Sequence, residues 1–238
     1  MVPLRELAAF LDEYLEVERY EEKGEVYLRS DRPVARLGLA LDPWSGISSW
    51  ADHERLDALC LHRPWRLAED LGECGVLAYH LAFDEHLTTG YNPRLGSVLT
   101  MRDLEALGAR QGRRLGMVGN VRARDVHQFT ALLVEVFGAV DVVHLGRSAE
   151  VARVAVVGGM TDALVREASE RQVDLYITGE WRQPGREAVA DTGLSVVTVG
   201  HRRSEEWGLR ALAGVLHERW AVLECVLAPA APHRDAIL

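Results

Sequence analysis

The sequence predicts an α/β protein made of two interlocked, internally repeated lobes with mixed sheets, and three observations predict it. First, short apolar runs alternate with amphipathic stretches along the chain, the pattern of strands joined by helices. Second, one segment occurs twice: Val34-Ala35-Arg36 and Val151-Ala152-Arg153 each open an apolar run, and 23 residues after each Val an Asp (Asp57, Asp174) leads another. Third, no stretch rich in Gly, Ser or Pro separates the halves. The lobes are therefore expected to interlock, with residues 1–110 and 195–238 in one and 111–194 in the other.

The elements follow in order. Leu4, Leu7, Leu11, Tyr14 and Leu15 fall at helical spacing, which predicts a helix over 4–19. EVYLRS (25–30) and ARLGLALD (35–42) read as strands; after a polar, Trp-containing stretch, DALCLH (57–62) and VLAYHL (76–81) read as two more. Asn92-Pro93 offers an N-cap and a proline at the first helical position, predicting a helix to about residue 108. RLGMVGN (114–120) is a strand and DVHQFTALLVEVFG (125–138) a helix closed by Gly138. DVVHLG, RVAVVGG and DLYITG read as strands, with a helix over 162–171 before the last. SVVTVGH (195–201) is a strand leading to a helix capped by Ser204 and ending near Arg219. WAVLECVL (220–227) is a closing strand, and the tail from Ala228 is expected to be loose.

Composition narrows the function. A chain of 238 residues, 48% hydrophobic and 26% charged, is ordinary for a globular protein. No apolar run approaches the roughly 20 residues that span a bilayer, and the acidic, amphipathic N-terminal stretch does not read as a signal peptide. Cys60, Cys74 and Cys225 form neither a CxxC nor a disulfide framework, which suits the cytoplasm. A net charge of −9 argues against general nucleic-acid binding, which needs Lys and Arg to displace counterions. A local basic pocket for one phosphorylated small molecule stays open.

Ligand-type side chains gather at the expected strand exits. His80 is followed four residues later by Asp84, and His201 four residues later by Glu205, a spacing that puts both groups on one side of a helical turn. His62 ends the strand before Arg63-Pro64, since proline does not continue a central strand. Imidazoles mixed with carboxylates suit Zn, Mn, Fe or Ni better than Ca or Mg. The bland alternatives are a surface His201 beside a capping Glu205, and a locally hydrogen-bonded His80. Arg63, Arg202 and Arg203 are candidate anion-binding groups, or solvated loop arginines. Cys60 shares a strand face with His62, as a substitute ligand or a core cysteine.

Leu61-His62-Arg63-Pro64, His80 to Asp84 with Gly90-Tyr91-Asn92, Ile177-Thr178-Gly179-Glu180 and Gly200 to Glu205 follow in that order, and together they resemble the four motifs of the Nif-three-like dinuclear metal-centre family, also called GTP cyclohydrolase type 2 homologs. Leu61-His62-Arg63-Pro64 resembles its Thr-His-His-Pro-like element. His80-Leu81-Ala82-Phe83-Asp84 with Gly90-Tyr91-Asn92 resembles its His-Thr-x-x-Asp and Gly-x-Asn turn. Ile177-Thr178-Gly179-Glu180 and Gly200-His201-Arg202-Arg203-Ser204-Glu205 resemble the remaining two. The resemblance covers roughly residues 34–220 and implies the family's short form. It implies metal ligands at His62, Asp84, His201 and Glu205, with His80 as a neighbour that orients a ligand or is one itself. It also implies one or two divalent transition ions per chain, a metal-activated water in a hydrolase or cyclohydrolase-like protein, and a homohexamer built as a trimer of dimers. A non-catalytic metal carrier, regulator or scaffold with a degraded centre is the alternative. The departure is Arg63, which stands at a family histidine and cannot ligate a metal, so one occupied metal position is expected. Each copy of the repeat is expected to lend one His-x-x-x-carboxylate arm to a shared centre.

Overall fold

The computed structural model describes residues 1–21, 24–68 and 70–229, so most of the tail expected to be loose lies outside the described residues. In chain order the helices are α1 (Leu4–Tyr14), α2 (Ile47–His53), α3 (Leu81–Leu87), α4 (Pro93–Val98), α5 (Val126–Phe137), α6 (Asp162–Glu170), α7 (Arg186–Thr192) and α8 (His201–Arg219). The strands are β1 (Glu25–Leu28), β2 (Arg36–Ala40), β3 (Ala58–Leu61), β4 (Gly75–Ala78), β5 (Arg102–Arg110), β6 (Arg113–Asp125), β7 (Val142–His144), β8 (Glu150–Val157), β9 (Leu175–Thr178), β10 (Ser195–Thr198) and β11 (Glu224–Leu227).

Two compact units divide the chain. One holds Met1–Leu11, Glu25–Tyr79 and Ala213–Leu238, the other Asp12–Gly24 and His80–Leu212. The first carries a sheet of order β1-β4-β3-β2-β11, parallel except for β1. The second carries a sheet of order β5-β6-β8-β9-β10-β7, in which β8, β9 and β10 are parallel and the others antiparallel. Every residue of β3, β4, β9 and β10 is buried, as expected for central strands covered on both faces. The α/β class and the mixed sheets are as the sequence predicts.

Three hydrogen bonds of the repeat recur in both copies. Asp57 Oδ2 accepts the N–H groups of Ala35 and Arg36 at 2.8 and 3.0 Å. Asp174 Oδ2 accepts those of Ala152 and Arg153, both at 2.9 Å. The Arg36 Nε donates to the carbonyl of Glu54 at 2.8 Å, and the Arg153 Nε to that of Arg171 at 3.0 Å. In each copy the Val-Ala-Arg segment and the later Asp thus form one clamp. It fixes the start of a strand to the turn before its parallel neighbour.

Several elements differ from expectation. The helix expected from Pro93 to about residue 108 ends at Val98, and Arg102–Arg110 is a strand. Thr100 sits at φ 58, and Gln111-Gly112 at φ 51 and 78 closes a hairpin onto β6. That turn matches the twist of the two strands, and ladder pairing outweighs the helical propensity of Leu-Glu-Ala-Leu. The first helix stops at Tyr14 because Glu16 is left-handed at φ 50; a single 3-10 turn, Val17–Arg19, follows. α8 begins at His201 rather than Ser204, so Ser204 is not its cap; its Oγ donates to the His201 carbonyl at 2.7 Å.

Candidate metal centre

His62 directly follows β3, and its N–H donates to the Ala40 carbonyl at 3.0 Å, extending the ladder by one residue. Its side chain is buried, with Nδ1 3.0 Å from the carbonyl oxygen of Tyr79. A carbonyl only accepts, so the proton sits on Nδ1 and Nε2 is left as a lone-pair donor. Such a hydrogen bond to the far nitrogen is the usual way a metal-binding histidine is oriented.

His80 is one peptide bond beyond Tyr79 and precedes the first turn of α3, where its Nε2 lies 3.8 Å from Asp84 Oδ2. One ligand atom each from His62, His80 and Asp84 lies within 4.8 Å of the others. His62 Nε2 and Asp84 Oδ1 are buried atoms with no hydrogen-bond partner among the described residues, while His62 is held through its Nδ1. Two imidazoles and a carboxylate, with a buried lone pair on one of each kind, fit a divalent transition ion of the zinc type.

The Gly-x-Asn turn holds α3 from its far end. Asn92 is buried; its Oδ1 accepts the Leu95 N–H at 3.1 Å and its Nδ2 donates to the Thr88 carbonyl at 3.2 Å. Thr88 Oγ1 in turn donates to the Asp84 carbonyl at 2.6 Å. A Cβ at Gly90 would run into the Glu85 backbone, which explains the glycine. Thr88 is not a residue the sequence singled out; a threonine four positions after the Asp was the only signal.

His201 and Glu205 form a pair of their own. Glu205 is buried, and its Oε1 is 3.0 Å from His201 Nε2. Gly200 at φ 87 turns the chain from β10 into α8 so that His201 stands at the helix start, half exposed. The hydrogen bond that His201 donates to the Glu205 carboxylate holds the His201 pKa above 6.5 against the opposing effect of burial, with the charges of Glu205, Asp84 and Glu180 adding to it. Protonated His201 therefore stabilises the fold at low pH, and that contribution fades as pH rises through its raised pKa. In metal-free protein the His201 imidazole is expected to titrate above 6.5 by NMR, and in Glu205→Gln to titrate lower. Identical titrations would contradict the pairing.

The two His-x-x-x-carboxylate arms are not equivalent in the repeat. Tyr79 N–H donates to Leu61 O at 3.2 Å and Val199 N–H to Thr178 O at 3.0 Å, which aligns Tyr79 with Val199. Asp84 N–H donates to His80 O at 2.9 Å and Ser204 N–H to Gly200 O at 3.0 Å. His80 and Asp84 therefore correspond to Gly200 and Ser204, and Glu205 corresponds to Glu85. The second copy presents its pair one residue later on its helix, a rotation of about 100°.

The arginines are matched by carboxylates. Arg63 Nε and Nη2 donate to the two oxygens of Asp42 at 2.8 and 3.3 Å, so it grips the residue just past β2. Arg202 Nε donates to Glu206 at 2.9 Å; Arg203 donates to the Val199 carbonyl at 2.7 Å and to Asp141. Cys60 is buried, and burial pushes its thiol up to about 12, as expected of a core cysteine. No helix among the described residues is long and apolar enough to cross a membrane.

A family model described as Duf34/NIF3 (NGG1p interacting factor 3) matches residues 71–232. A GTP cyclohydrolase 1 type 2 homolog of Pyrococcus horikoshii is 30% identical over 91% of this chain and 94% of that protein. A protein of the same name from Pyrococcus abyssi is 28% identical over the same shares. Among solved structures, TTHA1606 from Thermus thermophilus superposes with a TM-score of 0.76 at 24% identity, covering 98% of this chain and 100% of that one. Reduced HcgD from Methanocaldococcus jannaschii superposes at 0.72 with 18% identity, covering 95% and 97%. These likenesses carry the fold.

Proposed function

Because the chain belongs to the Duf34/NIF3 family, we propose that it is a metal-dependent hydrolase of the cyclohydrolase type, holding one divalent transition ion on His62, His80 and Asp84. The observation that carries this reading is the ligand-spaced group of two imidazoles and one carboxylate. When bound, such an ion supplies Lewis acidity, polarising a carbonyl, phosphoryl or water oxygen.

The chain's own residues divide the remaining work. Tyr79 orients the His62 ring through its carbonyl, and Thr88 with Asn92 fixes the turn that bears Asp84. The His201–Glu205 pair is the proton-transfer group of this reading. The buried carboxylate holds the ring and favours its charged form, and the half-exposed imidazole faces solvent. Arg202 and Arg203, which follow His201, are the candidate contacts for an anionic group of the substrate, which would have to compete with their carboxylates Glu206 and Asp141. A single ion is favoured because the second family histidine is Arg63, committed to Asp42, and because His201 and Glu205 engage each other.

The same Arg63 supports a second reading, a metal carrier or scaffold without turnover. A screen of phosphorylated and heterocyclic substrates that includes GTP, run on metal-loaded protein, separates the two. Hydrolysis that requires the ion and is lost in Asp84→Ala is expected. Absent turnover, with the ion passing rapidly to a chelator, would favour the carrier.

A further inference from the structure

Behind α3, on the side of Glu85 rather than Asp84, lies a partly buried polar network that the metal ligands do not use. Tyr20 follows the 3-10 turn and is buried; its hydroxyl donates to Glu85 Oε2 at 2.8 Å. The other oxygen, Oε1, accepts from Arg113 Nη1 at 3.1 Å, and the Arg113 guanidinium carbon sits 5.0 Å above the Tyr20 ring. The three side chains close a triangle. Next to it, His86 Nε2 lies 3.5 Å from Glu16 Oε2, which Arg19 and Arg114 approach at 2.8 and 3.4 Å. Burial raises both the Tyr20 hydroxyl and the Glu85 carboxyl above their ordinary values, as expected for groups removed from water.

The triangle's place on the helix gives it leverage. α3 has seven residues and no side-chain cap at His80, so its own hydrogen bonds fix its orientation weakly. Successive helical residues point about 100° apart. Clamping Glu85 on one side therefore sets the direction of Asp84 on the other. A ligand must be held within about 0.5 Å of its productive position for a tight site. In the second copy the residue equivalent to Glu85 is Glu205, which pairs with His201. In the first copy this carboxylate is turned inward onto Tyr20 and Arg113, leaving Asp84 to face His62 and His80.

We propose that Tyr20, Glu85 and Arg113 are positioning residues for the metal ligand Asp84, setting the rotation of α3 and through it the affinity and coordination geometry of the bound ion. This rests on the metal site proposed above. The test measures zinc affinity by chelator competition, and the visible spectrum of the cobalt-loaded protein, for the parent, Tyr20→Phe, Glu85→Gln and Asp84→Ala. Tyr20→Phe keeps the ring and removes only the hydroxyl; Glu85→Gln keeps the shape and removes the charge. Each is expected to weaken zinc binding about tenfold, the usual scale for a group that orients a ligand, and to shift the cobalt bands while stoichiometry stays unchanged. Lowered melting of the metal-free variants with zinc affinity within twofold of the parent and unshifted cobalt bands would overturn the inference and leave the metal site standing. If Asp84→Ala binds zinc as tightly as the parent, the metal site and the inference fall together.

Discussion

Asp84→Ala is expected to weaken zinc binding by more than about 100-fold, since even loss of a group that merely orients a ligand costs roughly 10- to 100-fold. Asp84 supplies the carboxylate of the ligand group, and without it two imidazoles remain. A ligand that binds only the folded state stabilises it by about 2.7 kcal/mol at a hundredfold excess over Kd. Saturating zinc should therefore raise the melting temperature of the parent by roughly 5–10 °C and leave Asp84→Ala unmoved. The metal-free forms should melt close together, because the Thr88 hydrogen bond to residue 84 uses its backbone carbonyl. A metal-free variant that melts far below the metal-free parent would make Asp84 a structural residue instead.

Asp57→Ala carries the largest expected loss of stability. Asp57 is buried, its Oδ2 accepts two backbone N–H groups, and its Oδ1 lies 2.8 Å from Arg32 Nε. Hydrogen bonds to a charged group contribute about 1.5–3 kcal/mol each, and alanine leaves two donors unmet. A loss of about 3–5 kcal/mol follows, against a usual total of about 5–15. Asp57→Asn retains an acceptor for the N–H groups and loses the charge, so about half of that loss is expected. Asp174→Ala removes the matching clamp from a more exposed position and should cost less than Asp57→Ala. Denaturant titration reads all three; an Asp57→Ala variant within about 1 kcal/mol of the parent would show that the clamp contributes little.

Much of this was legible in the sequence where one physical signal dominated. The Val-Ala-Arg and Asp echoes marked the repeat because the clamp needs a carboxylate at one fixed distance from two backbone amides. His62 was readable as a strand exit because Pro64 follows it. Residues 102–110 read as helix in the sequence because Leu, Glu and Ala favour one locally, while the hairpin that overrides them depends on β6 and on two left-handed turn residues. The one-residue offset between the arms was hidden because spacing along the chain looks the same in either register; only the backbone ladder distinguishes them. Tyr20 and Arg113 had no readable signal, since a tyrosine and an arginine separated from Glu85 by 65 and 28 residues declare themselves only once the chain is folded.

The most direct test of the central claim is a crystal structure of zinc-loaded protein with anomalous data on both sides of the zinc edge. One anomalous peak per chain, within bonding distance of His62, His80 and Asp84 and with His201 still paired to Glu205, is the predicted result. A peak bonded to His201 and Glu205, or two peaks per chain, would contradict it.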